Sequence, residues 1–527
     1  MSSVTPAVVS PSRPLASTSS YAASVSAQMR TVASQSRTEG WEGKGGPPVA
    51  FLAVTLRLYD TATRSVRPLA PLQAGHVGVY VCGPTVQAPP HVGHLRSAVA
   101  LDVLHRWLLA SGLMVTFVRN VTDVDDKILH DAAHTGEPWW ALATRTTRAF
   151  HRAYDAVQVL PPTGEPRVTG SIASITALIE RIISRGHAYA SGGDVYLAVR
   201  TAPGYGQLSG QNPDQLRASD KAVAHGHTGT KRDPLDFALW KAAKPGEPSW
   251  LSPWGPGRPG WHIECSAMAV DHLGESFDIH AGGIDLVFPH HENEVAQSRA
   301  AGHGFAQHWL HHGLVTVAGG AEKMSKSLGN GTLVDDVLTE VRPQVLRYVL
   351  GAGHYRSPLE WSQAAVADGE AAYGRIETFV RNATDAVGDQ PVDEALAKAS
   401  WEEFAAALDD DLSVPQALAA VHSAVRVGNA LLAAGEPPAL AATLSVVRRM
   451  LTVLALDPVG QWPSAGGGDL RGVVDTLVAL AVEARADARA AKDWARADAV
   501  RDRLATAGIA VEDTVVDGVA GVRWRLA

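Results

Sequence analysis

Two hydrophobic patterns follow each other in the first third of the chain. Over residues 77–81 apolar side chains alternate with a period of two, which is typical of a β-strand. Gly83 and Pro84 interrupt the strand, and over 92–107 apolar side chains recur every three or four positions, as on one face of a helix. Residues 114–123 are rich in β-branched and aromatic side chains and predict a second strand. Strand, helix and strand at this spacing predict an α/β fold with a parallel sheet.

The rest of the chain is predicted to be mostly helical, with one exception. Residues 186–254 are broken repeatedly by glycine and proline, and we interpret them as part of an insertion with short strands. Glycine- and proline-rich breaks near 385–392 and 457–468 indicate domain boundaries. The C-terminal part predicts one charged helix over 481–507 and a short strand-like tail.

Composition narrows the function classes. The 527 residues are enough for about three or four domains, and no apolar run approaches the ~20 residues that a membrane span needs. The formal net charge is −8, so any contact with nucleic acid must come from local basic patches. The chain has only two cysteines, Cys82 and Cys265, which excludes a disulfide framework and predicts a reducing, cytoplasmic location.

Residues 1–54 differ in composition from the remainder. They are rich in serine, alanine, valine and proline, and three arginines precede the first acidic residue, Glu39. This composition resembles an organellar transit peptide. A disordered bacterial extension, or a start codon assigned too early, explains it as well and is the interpretation that we favour.

The turn between the first strand and the first helix is a candidate anion site. Free backbone N–H groups and the positive end of the helix dipole attract anions at a helix N-terminus. His91 and His94 would add donors there, although both could equally serve only as helix caps. Far downstream, Lys323-Met-Ser-Lys-Ser327 is a basic, hydroxyl-rich segment that could also be an ordinary solvated loop.

Four scattered residues form a candidate metal site. Zinc takes about four ligands, which are cysteine, histidine and sometimes carboxylate groups. His290 and Glu294 share a helix face if a helix starts near Pro289. The candidate zinc ligands are Cys82, Cys265, His290 and Glu294, with His291 as an alternative to His290. Two buried structural cysteines and a solvated His–Glu pair would explain the same residues without a metal.

Several segments together resemble one enzyme family. His91-Val-Gly-His94 resembles the first signature of class I aminoacyl-tRNA synthetases, with Val92 where isoleucine is typical, and residues 323–327 are the full second signature. Within that class the chain resembles the cysteinyl-tRNA synthetases from about residue 55 to its end. The segments that carry this resemblance are Cys82-Gly-Pro-Thr85, Asn120-Val-Thr-Asp-Val-Asp-Asp-Lys127, Gly260-Trp-His-Ile-Glu-Cys265, Gly282-Gly-Ile-Asp-Leu286 and Phe288-Pro-His-His-Glu-Asn-Glu294.

The resemblance implies how the amino acid would be recognised. It implies that the candidate ligands hold one zinc ion, which binds the substrate thiolate and thereby excludes serine and alanine. It also implies that Gly83, Thr122 and Trp261 lie beside the bound L-cysteine. Alternatively, Trp261 is a core aromatic residue and Thr122 an ordinary strand residue.

The resemblance further implies a two-step reaction. Cysteine attacks the α-phosphorus of ATP, which is accompanied by Mg²⁺, to give cysteinyl-adenylate, and the terminal adenosine of tRNA(Cys) then accepts the cysteine. Catalysis of such a step is mostly positioning and electrostatic stabilisation. The residues implied to bind ATP or to act in catalysis are His91, Gly93, His94, Asp285, Lys323 and Lys326. Asp285 would bind the ribose hydroxyls, or it could be a turn residue.

The expected architecture is a class I Rossmann-like catalytic domain, an all-α anticodon-binding region and a small C-terminal domain. The predicted segments are a disordered extension (1–54), the catalytic domain (55–335, with an insertion at about 176–254), a stem-contact region (336–390), a helical anticodon-binding bundle (391–465) and a small C-terminal anticodon-binding domain (466–527). By analogy with the family we expect a monomer, with no membrane partner.

Two other functions compete with this interpretation. One is a ligase that joins cysteine to a glucosaminyl-inositol in mycothiol synthesis, which shares the adenylation chemistry and zinc site but lacks the full anticodon-binding C-terminus. The roughly 200 residues that follow Ser327 favour the synthetase. The other is a zinc-dependent RNA-binding regulator without catalysis, and the intact signature histidines and lysines argue against it.

Overall fold

The structure is a computed structural model with two compact units, Met1–Trp462 and Pro463–Ala527. It describes residues 55–215, 231–317, 332–387, 392–460, 462, 470–507, 509–516 and 519–526. The predicted extension at 1–54 and the signature lysines Lys323 and Lys326 lie outside the described residues.

Strands and helices alternate through the first half of the first unit, and helices dominate its second half. The strands are β1 (Arg57–Asp60), β2 (Ser65–Pro68), β3 (His76–Val81), β4 (Met114–Arg119), β5 (Ala188–Ser191), β6 (Asp194–Leu197), β7 (Phe237–Ala242), β8 (Gly257–Pro259), β9 (Ser276–Gly283), β10 (Phe305–His312), β11 (Val315–Val317), β12 (Leu359–Trp361), β13 (Ile509–Val516) and β14 (Val519–Leu526). The helices are α1 (Val92–Ala110), α2 (Asp126–Thr135), α3 (Trp139–Ala156), α4 (Ile172–Ser184), α5 (Trp261–Leu273), α6 (Glu292–Ala301), α7 (Val334–Glu340), α8 (Pro343–Ala352), α9 (Gln363–Val387), α10 (Lys398–Asp409), α11 (Val414–Ala434), α12 (Pro437–Leu454), α13 (Leu470–Ala490) and α14 (Trp494–Thr506).

A parallel sheet of four strands in the order β10-β9-β3-β4 forms the centre of the first unit. Strand β3 is buried along almost its whole length, as expected for a parallel sheet covered on both faces. Helix α1 connects the parallel neighbours β3 and β4, so the predicted α/β fold is confirmed. A second sheet, antiparallel and in the order β5-β6-β7-β8, lies within residues 188–259.

Helix α1 is buried on nearly all sides rather than on the single face that its apolar pattern indicated. Its buried residues include Arg96, Asp102 and Arg106, which are at most 2% exposed. Asp102 accepts hydrogen bonds from Arg106 Nε at 2.7 Å and from Arg347 of α8. Arg347 also donates to the backbone oxygens of Val157 and Leu454, at 2.7 and 2.8 Å. This buried ion-pair cluster therefore joins α1 to α8 and to the end of α12.

A second contact joins α1 to the helical region through the acidic turn 409–411. The indole Nε1 of Trp107 donates to Asp409 at 2.9 Å. Asp411 has φ +56° and accepts from the Tyr59 backbone N–H at 2.8 Å and from the Tyr355 hydroxyl at 2.7 Å. The carboxylates at 409 and 411 thus attach the helical region to α1 and β1.

The second unit consists of α13, α14 and the antiparallel hairpin β13–β14. The predicted single helix over 481–507 is wrong, because two helices separate at residues 491–493. Lys492 adopts φ +60°, and the Asp493 carboxylate caps the next helix by accepting from the Arg496 backbone N–H at 3.1 Å. Capping by the short aspartate side chain competes here with continuation of the helix.

Of the described helices, α11 passes a length-and-composition test for a membrane span. Its side chains at 418, 421 and 425 are buried in the core that it shares with α10 and α12. The core helix of a soluble bundle passes the same test, so this feature is weak support for a membrane role.

We predict that Asp102→Asn lowers the free energy of unfolding by about 3 kcal/mol at neutral pH, because two buried guanidinium groups lose their counter-charge. Burial alone would raise the pKa of Asp102, but Arg106 and Arg347 outweigh it and lower the pKa from 3.8 to about 2. This stabilisation is complete above about pH 4 and lost as the pH falls towards 2. Urea unfolding at several pH values measures both effects.

The exposed Asp368→Asn on α9 is the matched control and should leave the unfolding midpoint almost unchanged. An Asp102→Asn variant as stable as the parent at pH 7 would contradict the role of this ion-pair cluster.

Candidate active site and metal centre

The carboxyl ends of the parallel strands meet at one edge of the central sheet, where ligands of such sheets usually bind. Cys82 follows β3, Asn120 follows β4, and Gly283 ends β9. A cavity of about 970 Å³ opens at this edge. The predicted site residues that line it are Cys82, Gly83, His91, Gly93, His94, Trp261 and Asp285.

The four predicted metal ligands lie together beside this cavity. The ligand atoms of Cys82, Cys265, His290 and Glu294 are all within 4.8 Å of one another. Glu294 Oε1 is 3.3 Å from the Cys82 sulfur and 3.0 Å from His290 Nε2. Cys265, His290 and Glu294 are at most 2% exposed, whereas Cys82 is half-buried and faces the cavity. Two thiols, an imidazole and a carboxylate form a donor set that fits Zn²⁺.

A second donor set shares two of these residues. Cys82, His280, His291 and Glu294 also bring their ligand atoms within 4.8 Å of one another. His280 Nε2 is 2.7 Å from Glu294 Oε2, and His291 Nδ1 is 2.7 Å from His311 Nε2. The alternative proposed for His290, namely His291, therefore belongs to a different group of donors that includes His280. Sequence reasoning missed His280, whose only signal was a polar side chain near the carboxyl end of a buried strand.

The protonation of this cluster follows from burial and mutual charge. Burial disfavours the ionised form of Glu294, but His280 and His290 outweigh it and hold its pKa well below its usual value. Burial opposes charge on His290, but Glu294 and Cys265 raise the pKa of that ring to about 10. The hydrogen bond with Cys82 lowers the pKa of Cys265 to about 6, and burial raises the pKa of Cys82. A metal ion would displace the protons held by His290 and Cys82.

Aromatic rings hold the donor residue His290 in place. The Trp261 ring stacks on the His290 ring with centroids 4.2 Å apart, and His262 Nδ1 lies 2.9 Å from His290 Nδ1. The Lys127 ammonium lies 5.9 Å from the centroid of Trp261. Trp261 thus contacts both the cavity and a candidate metal ligand.

The two signature histidines cap helix α1 reciprocally. His91 Nδ1 accepts from the Gly93 backbone N–H at 3.1 Å, and His94 Nδ1 accepts from the His91 backbone N–H at 3.2 Å. Because each Nδ1 is an acceptor, each ring carries its proton on Nε2. The capping role considered from the sequence is therefore real, and it fixes the tautomer of two rings that line the cavity.

Two glycines permit close approaches at this edge. A Cβ atom on Gly83 would lie 1.6 Å from the backbone oxygen of Asn120, whose side chain accepts from the Gly83 N–H at 2.8 Å. A Cβ atom on Gly93 would lie 2.9 Å from the His91 ring. Neither position accepts a side chain without a shift of its neighbours.

The remaining predicted residues occupy different environments. Thr122 is 1% exposed, does not line the cavity, and receives a hydrogen bond from Asn120 Nδ2 at 3.2 Å. Its hydroxyl lies 3.5 Å from Glu264 Oε2. Asp285 is exposed at the cavity edge, in the turn that follows β9.

Sequence similarity to known proteins extends over most of the chain. Residues 68–371 match the family model of class I (C) tRNA synthetase catalytic domains, and residues 403–456 match the DALR domain. The chain is 52% identical over 497 residues to a cysteine--tRNA ligase of Streptomyces coelicolor, which covers 92% of this chain and 79% of that protein. It is also 52% identical over 478 residues to a cysteine--tRNA ligase of Streptomyces griseus, which covers 90% of this chain and 99% of that one.

Solved structures share the fold at low identity. A Mycobacterium tuberculosis methionyl-tRNA synthetase in complex with methionyl-adenylate superposes with a TM-score of 0.54 at 18% identity, covering 74% of this chain and 92% of that one. A LeuRS of Agrobacterium radiobacter K84 in a ternary complex gives a TM-score of 0.54 at 12% identity, covering 76% and 88%. These similarities establish the fold alone.

We predict that Cys265→Ser lowers the affinity for Zn²⁺ by about 10- to 100-fold or more, because it removes a thiolate from the first donor set. The matched variant His291→Gln, which alters only the second set, should retain the metal. Metal content after dialysis measures occupancy, and the thiolate-to-metal absorption of the Co²⁺-substituted protein reports how many cysteines bind.

Metal retained by Cys265→Ser but lost by His291→Gln would instead assign the site to the second set. The absorption of the Co²⁺ protein would then correspond to one thiolate rather than two.

Proposed function

The chain belongs to the cysteine--tRNA ligase family of class I aminoacyl-tRNA synthetases, and from this premise we propose that it activates L-cysteine with ATP as a cysteinyl-adenylate before transfer to tRNA(Cys). The observation that carries the proposal is a thiol-rich donor set at one wall of the cavity that also contains the two capping histidines. One end of the cavity suits a thiol, and the start of α1 suits a phosphate group.

Selectivity for cysteine requires more than shape. An apolar pocket separates side chains that differ by one small group by only ~1–3 kcal/mol. A Zn²⁺ ion in the first donor set would supply a soft Lewis acid that binds a thiolate far better than an alcohol or a methyl group. In this proposal the buried Cys265, His290 and Glu294 would hold the metal together with Cys82, which lines the cavity.

The capping histidines suit a reaction in which charge builds on phosphate oxygens. Their Nε2–H groups are donors whose orientation is fixed by the caps, so little reorganisation is needed when the charge develops. We propose that Lys326, assisted by Lys323, adds positive charge from the second signature, and that Mg²⁺ enters with ATP. Asp285 at the cavity edge is proposed to bind the ribose hydroxyls.

The amino-acid group is proposed to lie against Trp261 and Gly83, which line the cavity. Thr122 is proposed to act indirectly, through the residues that it contacts, because its hydroxyl is buried beside Asn120 and Glu264. Asn120 also accepts from the Gly83 N–H and lies 3.6 Å from the Cys265 sulfur. Thr122 would therefore position the residues around the substrate from a buried site next to the cavity.

The competing mycothiol ligase is not favoured. The relatives named cysteine--tRNA ligase match over at least 90% of the chain, and the helical segment 403–456 matches the DALR domain. That segment extends the similarity well beyond the adenylation site that the two enzyme types share.

We expect the purified full-length chain to catalyse cysteine-dependent ATP–pyrophosphate exchange and to attach labelled cysteine to tRNA(Cys). Serine and alanine should support neither reaction at comparable concentrations, because neither offers a thiolate. The glucosaminyl-inositol acceptor is tested in parallel. Cysteine found on the sugar and not on tRNA would overturn the proposal, and so would the absence of cysteine-dependent exchange.

We further predict that Gly93→Ala slows cysteine-dependent pyrophosphate exchange by about 10- to 100-fold, because the new Cβ would displace the His91 ring from its cap. Bound metal should not change. Gly170→Ala is the matched control, since a Cβ there meets no atom within 4 Å. Equal exchange rates for the two variants would show that the cap does not orient a catalytic group.

A further inference from the structure

The cavity at the edge of the central sheet continues along one face of α1. His94, Ala98, Leu101 and His105 of this helix all line it, at spacings of three or four residues. At a rise of ~1.5 Å per residue, His105 lies about 16 Å along the helix axis from His94. The part of the cavity around His105 is therefore distant from the helix start, where we propose that a phosphate group of ATP binds.

We call this distant part the side pocket and define it by six of the residues that line it. They are Leu101 and His105 of α1, Phe117 and Arg119 of the edge strand β4, Tyr154 of α3, and Leu160. Each of them is at most 7% exposed, so a ligand in the side pocket would be enclosed. Apolar walls with a few polar groups among them are typical of pockets that bind small molecules.

Arg119 supplies a buried positive charge whose donors are not all used. Its guanidinium lies over the Tyr154 ring, 4.3 Å from the centroid. Among the described residues its one ion partner is Glu165, and the Nη2–Oε1 distance of 3.4 Å is long for a charged pair. The buried Nε–H of Arg119 has no acceptor among the same residues. Because a buried unpaired donor is costly, an acceptor group in the side pocket would be stabilised.

His105 is the second polar group of the side pocket that lacks a partner. Its ring stacks on Phe117, with centroids 4.6 Å apart and 13° between the planes. Phe117 and Arg119 are two positions apart on β4, so their side chains lie on one face of the strand. The His105 ring forms no hydrogen bond with any described residue. Burial, opposed by Asp102, lowers the pKa of His105 to about 4, so at neutral pH the ring offers one donor and one acceptor.

The carboxylate of Asp102 also lines the cavity, but its charge is compensated. One of its oxygens accepts from Arg106 and Arg347, and the other accepts from the Leu160 backbone N–H at 2.7 Å. Two guanidinium groups therefore face one carboxylate in this cluster. The charges of Arg119 and Glu165 cancel, so the surroundings of the side pocket carry a net positive charge, which favours an anion.

We infer that the side pocket binds a small carboxylate with a flat apolar body, such as an aromatic acid. The carboxylate would accept hydrogen bonds from Arg119 and His105, and the flat body would lie against Leu101, Phe117 and Leu160. Arginine forks match carboxylate geometry, and aromatic rings pack well against apolar and aromatic walls. Neither L-cysteine nor ATP combines a carboxylate with a flat apolar body. The ligand is therefore distinct from the substrates of the proposed reaction, and the inference goes beyond that function.

The test measures binding of 2-naphthoate to the full-length chain by isothermal titration calorimetry, with 2-naphthamide as the neutral analogue. We expect one equivalent of the acid to bind with a Kd of about 1 mM or tighter, as suits a probe of this size. The amide should bind at least about tenfold more weakly, because it loses the charge-assisted hydrogen bonds. Saturating ATP or L-cysteine, added separately, should leave the affinity for the acid unchanged, because the side pocket lies away from the start of α1.

Arg119→Gln should weaken binding of the acid by at least about tenfold, because it removes the guanidinium fork. Glu165 keeps a partner in this variant, since its other oxygen lies 2.7 Å from His151 Nε2. Arg232→Gln is the matched control, because the guanidinium of Arg232 also lies over a tyrosine ring, 4.0 Å from its centroid, but outside the cavity. It should bind the acid as the parent does.

His105→Phe separates loss of a ligand contact from loss of the fold. Phenylalanine keeps an aromatic ring against Phe117 but has no nitrogen atoms. The variant should bind the acid about tenfold more weakly. Its melting temperature should not fall, because an apolar ring replaces a buried polar group that has no partner among the described residues.

The imidazole NMR signal that is missing in His105→Phe identifies His105, and it should shift when the parent binds 2-naphthoate. An unshifted signal, or no saturable binding at millimolar concentrations, would overturn the inference. Equal affinity for the acid and the amide would mean apolar filling by an adventitious additive only, and would also overturn it. So would competition with ATP or L-cysteine, which would place the acid among the substrate-binding residues. None of these measurements depends on the aminoacylation activity, so the inference and the proposed function can fail separately.

Discussion

The fully buried carboxylate of Glu294 is the constraint around which the edge of the central sheet is arranged. An isolated buried carboxylate is costly, so it must be paired or bind a metal. His280 from β9, His290 from the turn before α6 and Cys82 after β3 all bring a polar atom within hydrogen-bond distance of it. These contacts with Glu294 fix three separate chain segments relative to one another. The wall of the cavity beside Cys82 forms as a result.

A second buried carboxylate, that of Asp102 in α1, also joins distant parts of the chain. Asp102 binds Arg106 of the same helix and Arg347 of α8, and Arg347 also reaches the last residue of α12. Helix α1 thus begins at the capping histidines and is fastened to the helical region further along its length. Helix α1 is continuous from Val92 to Ala110. A displacement of the helical region would therefore also move the N-terminal end of α1, where the two signature histidines lie.

The sequence predicted what depends on local chemistry and missed what depends on distant partners. Strand β3, helix α1 and the capping option for His91 follow from periodicity and from motifs of a few residues. The donor set with His290 joins distant residues, and it was expected because of its ligand chemistry and the family resemblance. The Asp102–Arg347 pair joins residues 245 positions apart. An analysis of hydrophobic periodicity assigns charged residues to the surface, so it could not predict that this pair is buried. His280 was missed for the same reason, because it pairs with Glu294 across a turn. The helix break at 491–493 was missed because alanine-rich segments on both sides favour a continuous helix.

The close spacing of Cys82, His91 and His94 explains why a short stretch reveals so much of the site. A parallel strand delivers its carboxyl end to the ligand edge of the sheet, and the following helix must begin at that same edge. The thiol of Cys82 after β3 and the rings of His91 and His94 at the start of α1 therefore line one cavity. Their proximity follows from the strand-turn-helix geometry. The sheet fixes the separation between the donor set that we propose binds the thiolate and the start of α1 that we propose binds a phosphate group. In the proposed function, the turn between β3 and α1 therefore contributes both to selection of the amino acid, through Cys82, and to positioning of the nucleotide, through His91 and His94.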